Sequence, residues 1–175
     1  AGGGQATFAN YTGYSKGING LIYDVVAPTR DPIESDFTFT DAGKSGAGTT
    51  TIGPSAMGII VLQASAPRIV RVVFTFNDGS VKNTWLRVDI GTNFGLSAAE
   101  THYWGNAVGD VNVANTASTV LVNSTDEVTI RVNPTTAFNR SPVTDKNDIN
   151  KDSLVNSTDQ VITRTNPMTS FTGLK

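Results

Sequence analysis

The sequence predicts a mainly β chain: an antiparallel β-sandwich of immunoglobulin or jelly-roll type over residues 1–104, then a small all-α pair of loop–helix repeats over residues 105–175. Three observations carry this. Roughly seven or eight short apolar runs occupy the first part, with turn signals about every ten residues and no helical period. The composition suits short strands and turns, with 17 glycines and only 16% charged residues. A segment then recurs near the end: Val122–Pro134, VNSTDEVTIRVNP, returns as VNSTDQVITRTNP, Val155–Pro167, offset by 155 − 122 = 33 residues. Nine of the thirteen positions are identical, and each copy reads as a loop running into a short helix that stops at Asn-Pro.

Taken in order, residues 1–16 form a Gly-rich lead and an edge-strand candidate, Gly2–Asn10. Gly17–Ala27 alternates, with Leu21, Tyr23 and Val25 on one face. Pro28 and Pro32 break the chain, and Asp36–Thr40 places Phe37 and Phe39 together. Gly43–Ser55 is a loop or ragged strand, and Met57–Gln63 a short buried strand. Ile69–Phe76, Asn77-Asp78-Gly79 and Val81–Ile90 read as a β-hairpin, because Asp-Gly tolerates positive φ between two β-rich runs. Glu100–Trp104 closes the first domain. After Gly105 the aromatics thin out and Asn, Asp and Thr take over.

A net charge of −2 excludes a disordered polyelectrolyte, and the 13 Lys and Arg residues form no basic stripe, so nucleic acid is not an expected partner. No apolar run approaches the ~18 residues of a membrane span. The start lacks the charged lead and apolar core of a signal peptide, so the chain reads as a mature or excised segment. Cysteine is absent. A helical pair of this size has a thin core, and a metal is the remaining staple.

The second copy supplies that metal site. Asp148-Ile-Asn150-Lys-Asp152-Ser-Leu154-Val-Asn156-Ser-Thr-Asp159 offers oxygen ligands at positions 1, 3, 5, 7, 9 and 12 of a twelve-residue calcium loop, Leu154 through its carbonyl. Ser153 stands where glycine usually makes the sharp turn. The carboxylates repel one another without a cation and are satisfied with one. The first copy keeps Asn123 and Asp126. A gapless alignment puts Asn115, Ala117 and Thr119 at the early positions, whereas an insertion brings in Asp110 and Asn112. One Ca2+ is therefore expected at the second loop, and the first loop leaves a second ion open. Both helices carry matched pairs, Ser124-Thr125 and Ser157-Thr158, and matched basic residues, Arg131 and Arg164. Val128 and Val161 are expected to point inward as the helices pair, with help from Ile130 or Ile162.

The duplicated loop and helix resembles the type I dockerin module over about Gly109–Lys175. The resemblance is specific in the second repeat and partial in the first. It implies a small, non-catalytic, all-helical unit that folds around calcium and docks secreted proteins onto a cohesin-like partner, with Ser124, Thr125, Ser157 and Thr158 in contact with that partner. The sandwich-plus-repeat arrangement, with YSKGING early and HYWGNAVGD at the junction, also resembles C-terminal regions of large secreted bacterial proteins of planctomycete type. That implies an extracellular or cell-surface location.

No catalytic constellation emerges. His102 is the single histidine and reads as structural, and Asp24, Asp31, Glu34, Asp36 and Asp41 are unlinked loop acids. Two non-catalytic functions compete. In one, the module docks or assembles extracellular proteins, including copies of itself joined head to tail into fibres. In the alternative it binds polysaccharide, with Trp85 on the polar side of its strand as the stacking platform.

Overall fold

The structure is a computed structural model that describes residues 10–113, 115–116 and 119–172, with no account of the side chains of 170–172. The strand candidate Gly2–Asn10 falls almost wholly outside the described residues, as does Ala117.

Among the described residues ten strands and two nine-residue α-helices form. In chain order they are β1 (Tyr11–Thr12), β2 (Gly20–Val26), β3 (Phe37–Asp41), β4 (Thr50–Ile52), β5 (Ala56–Gln63), β6 (Ile69–Thr75), β7 (Trp85–Ile90), β8 (Glu100–Asn106), β9 (Thr119–Val122), α1 (Ser124–Val132), α2 (Ser157–Thr165) and β10 (Met168–Thr172). They make a five-stranded sheet in the order β1-β8-β7-β3-β4, a three-stranded sheet in the order β2-β6-β5, and the pair β10-β9. All pairings are antiparallel except β1 with β8.

The alternation along each strand decides the layers. Leu21 and Val25 of β2 and Val72 and Phe74 of β6 meet Phe37 and Phe39 of β3 and Leu86, Val88 and Ile90 of β7 in one buried cluster. Its centre is aromatic: the Phe74 ring lies 4.8 Å from both Phe37 and Phe39, edge on. Such pairs add about 0.5–1.5 kcal/mol each beyond the apolar area they bury.

Two expectations are corrected here. Ile69–Phe76 and Val81–Ile90 do not form a hairpin. β6 belongs to the three-stranded sheet and β7 to the five-stranded one. Gly79 does turn the chain with φ 79°, but its N–H bonds Lys16 O, and buried Val81 and Thr84 carry the chain across to the other layer. The C-terminal part is also not an all-α dockerin-like pair. A strand precedes α1, another follows α2, and the two pair with each other, Met168 opposite Val122 and Phe171 opposite Val120. The cause is local. Thr119–Val122 is mostly β-branched, and Pro167 holds the chain extended as α2 ends.

This β9–β10 pair covers the Trp85 end of the outer face of the five-stranded sheet. Trp85, Ala42 and Ala107 pack with Val120, Val122 and Met168 in a second buried cluster. A third, Val108, Val111, Ile130, Ile149 and Val155, sits between the loops and helices. β8 runs on through residue 104 to Asn106, and Ser15 N–H bonds Ile149 O at 2.9 Å, so main-chain contacts link the two predicted domains.

Candidate metal centre and partner face

The duplicated sequence gives duplicated local structure. Asn123 caps α1 and Asn156 caps α2, with φ −148° and −150°, each side chain accepting from the Thr N–H two residues on. At N3, Asp126 and Asp159 reach back to the backbone N–H of the cap residue. The capping box, with aspartate in the usual glutamate place, explains why the Asn-Ser-Thr-Asp block is shared. It also changes the part of two expected ligands, because Asn123 and Asn156 direct their Oδ1 atoms to helix N–H groups. At the other end, Asn133 and Asn166 donate through Nδ2 to the carbonyl four residues back, which closes both helices alike.

In the second loop Asp148 and Asp159 are fully buried. Asp159 Oδ1 accepts from the N–H of Ile149 and Asn150, and Asp148 accepts from the N–H of Asp152 and Ser153. Asp152 accepts from Leu154 N–H and from the Asn150 amide. Among the described residues every hydrogen bond to Asp148 and Asp159 comes from backbone N–H, and Lys151 turns its ammonium to the Asp145 carbonyl instead. Burial raises the Asp148 carboxyl above its ordinary value, against the Ser153 N–H that lowers it, and the charges of Asp159 and Asp152 push the same way as burial. Lys151 has φ 59° and Ser153 φ 72°, so the loop does make its sharp turn at the position glycine normally holds.

The loop suits a hard cation by donor type, with carboxylate and amide oxygens each retaining acceptor capacity. Among the described residues no three His, Cys, Asp or Glu side chains gather as a metal-binding group. Any ligation at this loop would have to rest on the Asp148–Asp159 neighbourhood completed by amide and carbonyl oxygens, not on a convergent acid triad.

The first loop starts the same way and then departs. Val111 N–H bonds Asp126 Oδ1 at 3.2 Å, as Ile149 N–H bonds Asp159, so Asp110 and Asn112 are the counterparts of Asp148 and Asn150. The insertion alignment is the one the backbone follows. Beyond that point Asn112 takes φ 60°. The Tyr11 hydroxyl donates to Asp110 Oδ2, and the Asn115 amide donates to the same oxygen at 3.2 Å and to Asn112 Oδ1 at 3.1 Å. Burial raises the Asp110 carboxyl, while the Tyr11 and Asn115 donors offset part of the rise. Burial, then the Asp110 hydrogen bond and charge, raises the Tyr11 hydroxyl in turn. Protein donors thus occupy the carboxylate that a cation would need. A cleft of about 370 Å³ between the loops is lined by Tyr11, Asp110, Asn112, Asp148 and Lys151 among others.

The helices present Ser124, Thr125, Arg131, Ser157, Thr158 and Arg164 to solvent. Val128 and Val161 lie with them, 48% and 51% exposed, not inward as their repeat position suggested. Ile130, expected only as their helper, and Thr163 fill the interior. Sequence reasoning missed Glu127, whose carboxylate accepts from both Arg131 and Arg164 and ties α1 to α2. The signal was present in the repeat itself, since Glu127 is replaced by Gln160 in the second copy and only one copy can clamp both arginines.

Trp85 is buried, and its indole lies over Gly105, where an added Cβ would come within 2.8 Å of the ring. It has no open face for a sugar, which corrects its assignment as a stacking platform. The acids considered for catalysis are mostly paired: Asp24 with Arg71, Asp31 with Arg68, Asp36 with Arg30, Asp41 with Thr84. His102 Nε2 lies 2.9 Å from Glu100 and its ring meets Tyr23 edge on. Among the described residues no helix is long and apolar enough to cross a membrane. Comparison with family models, curated proteins and solved structures finds no match.

Proposed function

We propose that this chain is a non-catalytic, calcium-binding interaction module that docks or assembles proteins outside the cell. The ion would sit at Asp148–Asp159 and the partner on the exposed face of α1 and α2. One observation carries the reading: two buried carboxylates, Asp148 and Asp159, start and end a twelve-residue loop and receive only backbone hydrogen bonds among the described residues. Lys151 is the nearby positive charge and its ammonium bonds the Asp145 carbonyl, so burying two such charges together is costly, and a divalent cation offsets it. Asp148 and Asp159, completed by amide and carbonyl oxygens of the loop such as Asn150 Oδ1, would hold the ion, which would supply positive charge and cross-link the loop to the start of α2. A single ion is favoured because Tyr11 and Asn115 already engage Asp110 in the first loop. The matched Ser-Thr pairs, Val128 and Val161, and the clamped arginines then give a partner two similar helix faces to read. The resemblance of the repeat to dockerins supports the same assignment, with a cohesin-like domain or a further copy of this chain as partner.

The test is thermal unfolding in calcium and in chelator. Saturation near one hundred times Kd adds about 2.7 kcal/mol. For a chain of this size that raises Tm by about 5–10 °C. Asp148→Ala should abolish the difference, and a wild-type melt identical in chelator and calcium refutes the reading.

A further inference from the structure

β5 is the longest open edge among the described strands, with only β6 beside it. Natural edges of this length are usually blunted by charge or proline. β5 has neither along AMGIIVLQ, and no charged residue occurs between Lys44 and Arg68. Both its faces are apolar and open, with Ile59 39%, Ile60 52%, Val61 48% and Leu62 47% exposed. Nearby charges are already neutralised in pairs, Arg71 with Asp24 and Arg68 with Asp31.

We infer that β5 is a self-association edge, pairing antiparallel with β5 of a second copy to make one continuous sheet of β2-β6-β5 and its mate. A strand uncharged on both faces selects an equally uncharged mate, and β5 itself meets that condition without placing like charges opposite one another. Symmetry then fixes the parity of the register. A two-fold axis normal to the sheet keeps the core faces on one side, so opposed residues must share a face, and the axis passes midway between one residue and the same residue of the mate. The β5–β6 ladder is regular from Ala56 to Val61 and shifts before Gln63. The symmetric register that uses its apolar part most fully is centred on Ile59. Met57 then lies opposite Val61, and Ile59 opposite itself, in one apolar row. On the outer face Ile60 lies opposite Gly58, where nothing lies within 4 Å of an added Cβ, so the mate's isoleucine has room. This surface is independent of the calcium loop and of the helix face.

The chain lacks cysteine, so a single introduced thiol reports the contact. Directly opposed residues in an antiparallel pair lie about 4.5–5.5 Å apart at Cα, within disulfide reach, whereas diagonal neighbours lie about 7–8 Å apart. Sedimentation of the full chain across the micromolar range should show a monomer–dimer equilibrium, in chelator as well as in calcium. Ile60→Lys should leave the circular dichroism unchanged and remove the dimer. Under mild oxidation Ile59→Cys should form a disulfide-linked dimer, and Ile60→Cys should do so far less. A strictly monomeric chain overturns the proposal, as does a dimer indifferent to Ile60→Lys. So does a dimer that needs calcium and is lost in Asp148→Ala, which would belong to the helix face. An intramolecular disulfide in Phe8→Cys/Ile59→Cys would assign the edge to the chain's own first residues instead.

Discussion

Gly109 is where the end of the sheet region meets α2, and replacing it with alanine tests that junction. Its φ is +86°, a region where a Cβ costs about 1–2 kcal/mol. The added methyl would also lie 2.7 Å from Thr163 Cα and 2.8 Å from Thr163 Oγ1. Thr163 is buried and donates to the Gly109 carbonyl at 3.3 Å, so neither side can move alone. Overpacking of this kind costs about 1–3 kcal/mol. Strain and clash together place Gly109→Ala about 2–5 kcal/mol below the parent chain. Urea unfolding followed by circular dichroism reads this as a lower midpoint at unchanged slope, because the same surface is exposed. Thr163→Ala combined with it should recover little, since the closest atom is backbone. A Gly109→Ala chain within about 0.5 kcal/mol of the parent would refute the packing of α2 against residues 107–111.

Two further outcomes follow from hydrogen-bonded carboxylates. Tyr11→Phe removes a donor to buried Asp110 and should cost about 1.5–3 kcal/mol in urea unfolding; a neutral effect would mean that Tyr11 does not hold the first loop. Glu127→Gln should weaken the α1–α2 link in a pH-dependent way. The Arg164 guanidinium, followed by Arg131, holds the Glu127 carboxyl below its usual value. Its contribution is therefore present above the unfolded pKa and is lost as pH falls through the lower folded one. The difference between parent and variant should be full at neutral pH and close below about pH 4; a gap that persists in acid contradicts the clamp.

The strands of the first part could be read from alternation because each has one face on a common core: Leu21 and Val25, Phe37 and Phe39, and Leu86, Val88 and Ile90 all point inward together. Which strands pair could not be read so well. Asp78-Gly79 marks a turn equally when the chain crosses between layers, and nothing local distinguishes that from a hairpin. Trp85 misled for a similar reason. It shares a face with Arg87 and Asp89, and only the distant Val120, Val122 and Met168 decide that its end of the strand is covered. In the repeat region the Asn-Ser-Thr-Asp block announced two identical helix starts. Its Asn and Asp were read as ligands, and in both copies these same two residues make the helix cap. β9 and β10 went unseen because each is short and finds its partner across both helices. The helix-facing error at Val128 and Val161 has a different source: the helices bury Ile130 against the loop residues Val108, Val111, Ile149 and Val155, which carry no periodic signal.

Equilibrium dialysis with radioactive calcium counts the ions held at Asp148–Asp159. One ion per chain is expected for the parent and for Asp110→Asn, and none for Asp148→Ala that remains folded. Absence of bound calcium in the parent, or binding that survives Asp148→Ala and disappears with Asp110→Asn, would contradict it.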